Sequence, residues 1–138
     1  MVSPGLRAPI AVALGAIPGA LSRYYLGKGL ATMAGMPDFP IGTLGVNLLG
    51  CFLLGLFLTL TLKKGPVSPE LRLMVVTGFI GAFTTFSSYE LDVAHLTAMH
   101  QGWLDGIYWV GSPLLGLLCL WSGMALGQKV HPEGQSGD

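Results

Sequence analysis

Four stretches of mostly apolar residues, each near the roughly 20 residues that a helix needs to cross a bilayer, take up almost all of this 138-residue chain. They run from about 8–30, 41–62, 71–99 and 104–126, and only the stretch 128–138 reads as a polar, solvated tail. Charge is scarce: Asp, Glu, Lys and Arg make up 10% of the residues, seven basic against seven acidic. A soluble protein of this size needs charge to cover its surface. The neutral balance also excludes a basic nucleic-acid binder and a disordered acidic chain. The expectation is an all-α membrane protein with one four-helix domain over 1–127 and a third helix that is broken.

The ends of the spans carry physical markers. Lys63 and Lys64 stop the second span, because charge in lipid is costly. Ser68-Pro69-Glu70 starts a helix with a hydroxyl cap, a proline in the first turn and a carboxylate near the positive end of the dipole. Asp38-Phe39-Pro40 opens the second span in a similar way, and Trp103, Tyr108 and Trp109 suit an interfacial aromatic belt. Arg7 before an apolar run resembles a secretory signal, but four comparable segments argue against cleavage. Cys51 and Cys119 lie within spans and read as small packing residues. His95, His100 and His131 lack the clustering of a metal site.

With four spans, both termini and the middle loop share one side. That side holds Arg7, Lys63, Lys64, Arg72 and Lys129, while the other holds Lys28, plus Arg23 if it lies shallow. Five against two favours both termini in the cytoplasm and leaves insertion in both orientations open. The expected location is a cell inner (plasma) membrane. Gly15 with Gly19, Gly78 with Ala82, and Gly123 with Gly127 are small residues four apart, a spacing that lets helix backbones approach closely. Four short helices enclose little interior, so these pairs suggest a homo-oligomer.

The unusual chemistry is polar and mid-span. The third segment reads Thr77-Gly78-Phe79-Ile80-Gly81-Ala82-Phe83-Thr84-Thr85-Phe86-Ser87-Ser88-Tyr89-Glu90. Its hydroxyls can bond to helical carbonyls and its glycines loosen the backbone, which points to a broken helix. Membranes tolerate such breaks where protein or water satisfies the freed groups, and breaks of this kind often bind ions. Asn47 brings an amide into the second span and Arg23 a guanidinium into the first. Amide and hydroxyl donors, with the electropositive ring edges of Phe79, Phe83, Phe86 and Tyr89, suit a small anion. The first two spans hold no carboxylate, and Glu90 and Asp92 follow the hydroxyl run, where an exit could lie.

Three motifs in order resemble the Fluc/CrcB family of fluoride channels: Gly15-Ala-Ile-Pro-Gly-Ala-Leu-Ser-Arg23-Tyr24, Gly42-Thr-Leu-Gly-Val-Asn47-Leu-Leu-Gly50, and Gly78 through Tyr89. The fourth span, with Tyr108 and Ser112, matches more loosely. The resemblance implies an antiparallel, dual-topology homodimer of four-helix subunits and a passive channel that lowers cytoplasmic fluoride. It implies that Asn47 donates to the anion and that Phe86 and Tyr89 line the pores. Thr85, Ser87, Ser88, Tyr108 and Ser112 would form the polar lining, with Arg23 in a vestibule. A structural sodium ion at the dimer interface would use the carbonyls of Gly81 and Thr84 in a break around Gly81 to Thr84. Two features depart from the family. Tyr89 stands where Phe is common, and the charge bias admits a heterodimer with an oppositely biased paralogue.

Rival readings explain less. A proton-coupled multidrug exporter needs an acidic residue deep in the first span, where this chain has Arg23. A non-transporting assembly subunit leaves Asn47 and the hydroxyl run without a role. An intramembrane enzyme needs a nucleophile with a base, and no His or Lys lies near these serines in sequence.

Overall fold

A computed structural model of the chain describes residues 4–63, 67–99 and 102–130. Lys64, His100, His131 and the rest of the tail lie outside the described residues. The described residues form helices and no strands. The first two spans are α1 (Pro4–Ala34) and α2 (Ile41–Lys63). The third is composite: α3 (Pro69–Arg72), a π-helical stretch over Leu73–Ile80, a single turn α4 (Gly81–Phe83), and α5 (Phe86–Ala98). The fourth span is α6 (Trp103–Val130). All four are long and apolar enough to cross a membrane, so the protein is a multi-pass membrane protein.

The helix limits have local causes. Ser68 caps α3 as its sequence suggests, its Oγ accepting from the Leu71 N–H at 3.2 Å, with Pro69 in the first turn. Gly35, at φ 61°, follows the last residue of α1 in the left-handed conformation that glycine adopts without strain. Helix α6 continues four residues beyond the expected end at 126, because Gly127 still packs on α2: a Cβ there would lie 2.8 Å from Thr59 Cβ.

Close backbone approach holds the helices together. Gly15 and Gly19 seat α1 on the third span, where a Cβ on Gly15 would lie 2.8 Å from the Phe79 nitrogen. Gly78 returns the contact, with its added Cβ 3.0 Å from Gly15 Cα. Gly123 does the same between α6 and α2, its added Cβ falling 3.0 Å from the Leu56 nitrogen. These small-residue pairs are therefore spent within one subunit, and the expectation that they signal an oligomer does not follow from them. Trp103 and Trp109 are exposed, as belt residues would be, but Tyr108 is not one of them. It is 2% exposed and packs with Tyr89 and Leu96, with Phe39, Leu44 and Val93 around them.

A cavity beside the broken third span

The third span breaks at Thr84–Thr85, where both residues are extended (φ −81°, ψ 158° and φ −149°, ψ 119°). The expected break around Gly81 to Thr84 is thus displaced toward its C-terminal end. Gly81 itself is helical (φ −63°, ψ −34°), and Gly78 serves the contact with α1. The cause of the break is Asn47, 38 positions away on α2. Its Nδ2 donates to the Thr85 carbonyl at 2.9 Å and its Oδ1 accepts from the Thr85 N–H at 2.8 Å. One side-chain amide thereby bonds both the N–H and the carbonyl of a single residue, standing in for the helical acceptor that the N–H has lost, and its second N–H takes no part in that pair.

Thr85 also starts the next helix. Its Oγ1 accepts from the Ser88 N–H at 3.1 Å, donates to Ser88 Oγ at 3.0 Å and lies 3.3 Å from Ser87 Oγ. Two carbonyls lose their helical donors through these bonds. In a continuous helix, the Thr85 N–H would go to Gly81 and the Ser88 N–H to Thr84. Here those donors go to Asn47 and to the Thr85 hydroxyl. The Thr84 carbonyl instead faces the Arg23 guanidinium, with Nη1 at 3.5 Å. That distance is long for a hydrogen bond, and the contact is best described as a positive charge at the negative end of a half-helix.

A cavity of about 470 Å³ opens beside the break. It brings together Asn47, Thr85, Phe86, Tyr89, Tyr108 and Ser112 from α2, the break, α5 and α6. None of the described residues that line it is charged. Phe86, at 72% exposure, forms one side, its ring centroid 5.6 Å from that of Tyr89. Tyr89 is buried, 5.5 Å from the Tyr108 ring. Ser87, Ser88, Gly81 and Arg23 do not line this cavity. The two serines support Thr85, while Arg23 meets the break at the Thr84 carbonyl.

Three contacts lie beyond what the sequence alone indicates. The Tyr89 hydroxyl donates to the carbonyl of Trp109. Four residues on stands Pro113, which has no N–H to offer that carbonyl, so the phenol supplies the missing donor. The signal for the orphaned carbonyl is Pro113 within an apolar span; the identity of its partner needs the fold. The Tyr108 hydroxyl donates to Asp92 Oδ2 at 3.2 Å, while Phe39 meets the Tyr108 ring edge-on at 5.6 Å and 84°. Ser112 Oγ is buried with no hydrogen-bond partner among the described residues. Buried hydroxyls are normally paired, so this one is available to whatever enters the cavity.

Residues 10–124 match the family model described as CrcB-like protein, Camphor Resistance (CrcB). Over 126 residues the chain is 50% identical to a protein of Synechococcus sp. (strain JA-2-3B'a(2-13)) named fluoride-specific ion channel FluC, covering 91% of this chain and 96% of that one. A protein of the same name from Trichormus variabilis is 47% identical over 126 residues, covering 91% of each chain. Another, from Acidobacterium capsulatum, is 41% identical over 119 residues, covering 86% of this chain and 94% of that one. The chain belongs to the CrcB family, a family of ion channels and not of enzymes.

Proposed function

We propose that this protein is a passive, fluoride-selective channel that lets fluoride leave the cell and lowers its cytoplasmic concentration. The observation that carries this reading is the chemistry of the cavity: amide, hydroxyl and ring-edge groups gathered with no charge among the described lining residues. Neutral donors can replace an anion's hydration without holding it as a fixed cation would. The relatives' shared name points to fluoride as the anion.

In this reading the second N–H of Asn47 meets the anion, with Phe86 and Tyr89 presenting ring edges. On the polar side of the path Ser112 brings a hydroxyl donor, while Thr85 and Tyr108, whose hydroxyl protons go to Ser88 and Asp92, line it and hold its shape. Ser87 and Ser88 act through Thr85, and Arg23 guards a vestibule on the other side of the break. The working unit is an antiparallel homodimer in the inner (plasma) membrane, in which a second copy covers Phe86. A second reading pairs the chain with a paralogue. The contact of Arg23 with Thr84 favours it, because a guanidinium at mid-span drops out of the topology count and leaves Lys28 alone against five.

A structural sodium ion at the dimer interface is part of this reading, with the Thr84 carbonyl shared between the ion and the long Arg23 contact. The carbonyls of Gly81 and Thr84 have lost their helical donors, and oxygen atoms at a half-helix C-terminus suit a hard cation. Two such oxygens from each of two copies would hold the ion and neutralise the dipole ends there.

The test is efflux from liposomes holding purified protein, followed with a fluoride electrode. Fluoride should leave rapidly once valinomycin clamps the voltage, far faster than chloride and with no proton or sodium gradient. Equal chloride release, or no fluoride release, would overturn the channel reading. A carrier of organic cations finds no support in a first span whose ionisable group at the break is Arg23.

A further inference from the structure

We propose that the wedge between the N-terminal part of α1 and the start of the third span binds a phospholipid whose headgroup carries a primary ammonium. A second cavity, of about 360 Å³, lies there, separate from the one beside the break. Its apolar lining is Ile10, Ala11, Leu14, Leu71 and Met74. Among the described residues that line it, Arg7 and Glu70 alone are charged.

The wedge follows from how the two spans meet. Gly15 and Gly78 bring the backbones of α1 and the third span together. Nearer the helix starts, full-sized side chains replace glycine: Ile10 and Leu14 on one helix, Leu71 and Met74 on the other. The pair therefore pinches at the glycines and opens above them. First and third spans enter the bilayer from the same side, so Arg7 and Glu70 both stand at the headgroup end. Leu14 lies seven residues further along α1 than Arg7, about 10 Å deeper at the helical rise. That is room for the upper part of an acyl chain against apolar walls.

The two charges decide which lipid. A guanidinium is well shaped to grip a phosphate, and a carboxylate accepts hydrogen bonds from an ammonium group. Phosphatidylethanolamine offers both partners at once. Phosphatidylcholine has no N–H for Glu70, and phosphatidylglycerol has no cation for it. This inference rests only on the protein's lying in a membrane, so its failure would leave the fluoride reading standing.

Native mass spectrometry of the full chain in detergent, with dioleoyl-phosphatidylethanolamine, -choline and -glycerol added at equal concentration, tests it. The unaltered protein should retain the ethanolamine lipid about three- to fivefold better than the other two, the scale of one partly exposed charge pair. Glu70→Gln should erase that preference, and Arg7→Gln should reduce retention of all three lipids. Equal retention of ethanolamine and choline lipids, a preference for the glycerol lipid, or a preference unchanged by Glu70→Gln would each overturn the proposal.

Discussion

Asn47 and Thr85 exchange two hydrogen bonds, side-chain amide to peptide, across the interface between α2 and the third span. The pair does two things at once. It pairs the Thr85 N–H, which has no helical acceptor where the third span stops being helical, and such pairing is a condition for any break within a bilayer. It also fixes the amide plane, so the second Nδ2 N–H has a set direction before an ion arrives. An amide held this way needs little reorganisation to meet an anion, the advantage of any preorganised donor.

Replacing Asn47 should therefore harm fold and flux together. Asn47→Asp keeps an acceptor for the Thr85 N–H but loses the donor to its carbonyl and adds negative charge to the cavity. Fluoride efflux should fall by about one to two orders of magnitude, the worth of one or two hydrogen bonds at the barrier. Asn47→Ala leaves the Thr85 N–H unpaired and strips the Thr85 carbonyl of its second donor, and should cost about 1–3 kcal/mol of stability. Electrode-monitored efflux and thermal unfolding in detergent read the two effects. Undiminished flux in Asn47→Asp would remove this residue from the ion path.

Tyr89 gives a sharper test, because its hydroxyl and its ring have separate work. The hydroxyl serves the Trp109 carbonyl that Pro113 leaves without a donor, while the ring lines the cavity. Tyr89→Phe should cost about 1–2 kcal/mol in stability for the unpaired carbonyl. Efflux should stay within about threefold, since no donor bond to the ion is lost. Adding Pro113→Ala to Tyr89→Phe restores a helical N–H four residues from Trp109 and should recover most of the lost stability. A double-mutant cycle by thermal unfolding checks this; additive losses would break the link between the phenol and the proline.

Much of this arrangement is legible in the residues, and what is not has a common cause. Span number and approximate limits follow from apolar length, and the Ser68 cap follows from local chemistry. The hydroxyl run signals a break but not its place, because glycines in the third span suggest looseness where Gly78 instead provides close contact. The residue that sets the break lies 38 positions away on another helix. Small residues four apart mark a helix face built for close packing without saying whose helix will meet it. Tyr108 shows the same limit: an aromatic near a span end suits the lipid interface, yet Phe39, Tyr89 and Asp92 enclose it.

The glycines that seat α1 can be told from those that only occupy a helix. A methyl on Gly78 would lie 2.5 Å from the Val12 carbonyl oxygen, which belongs to backbone and cannot swing away. Gly78→Ala should cost about 2 kcal/mol or more, the scale of overpacking a tight interface. A methyl on Gly106 in α6 would meet nothing within 4 Å, so Gly106→Ala should be neutral or stabilise by up to about 1 kcal/mol through helix propensity. Thermal unfolding of both variants in the same detergent separates them. Similar melting temperatures would mean that α1 does not rest on the third span at Gly78.

Ser112 and Ser88 should respond in opposite ways, because one hydroxyl is idle in the fold and the other is used. Ser112 Oγ lines the cavity and is buried with no partner among the described residues. Removing it in Ser112→Ala forfeits no well-formed internal hydrogen bond, only its approach to the Tyr108 hydroxyl, so stability should stay within about 0.5 kcal/mol. If fluoride passes through this cavity, the same change removes a donor from its path, and efflux should fall about five- to tenfold, the value of one hydrogen bond to a charged group. Ser88 Oγ accepts from Thr85 and lies outside the cavity lining. Ser88→Ala should cost about 1 kcal/mol of stability and leave efflux within about threefold, since the backbone cap from Ser88 to Thr85 survives. Paired efflux and unfolding measurements on the two variants decide it. A loss of flux confined to Ser88→Ala would move the ion path out of this cavity to the other side of Thr85.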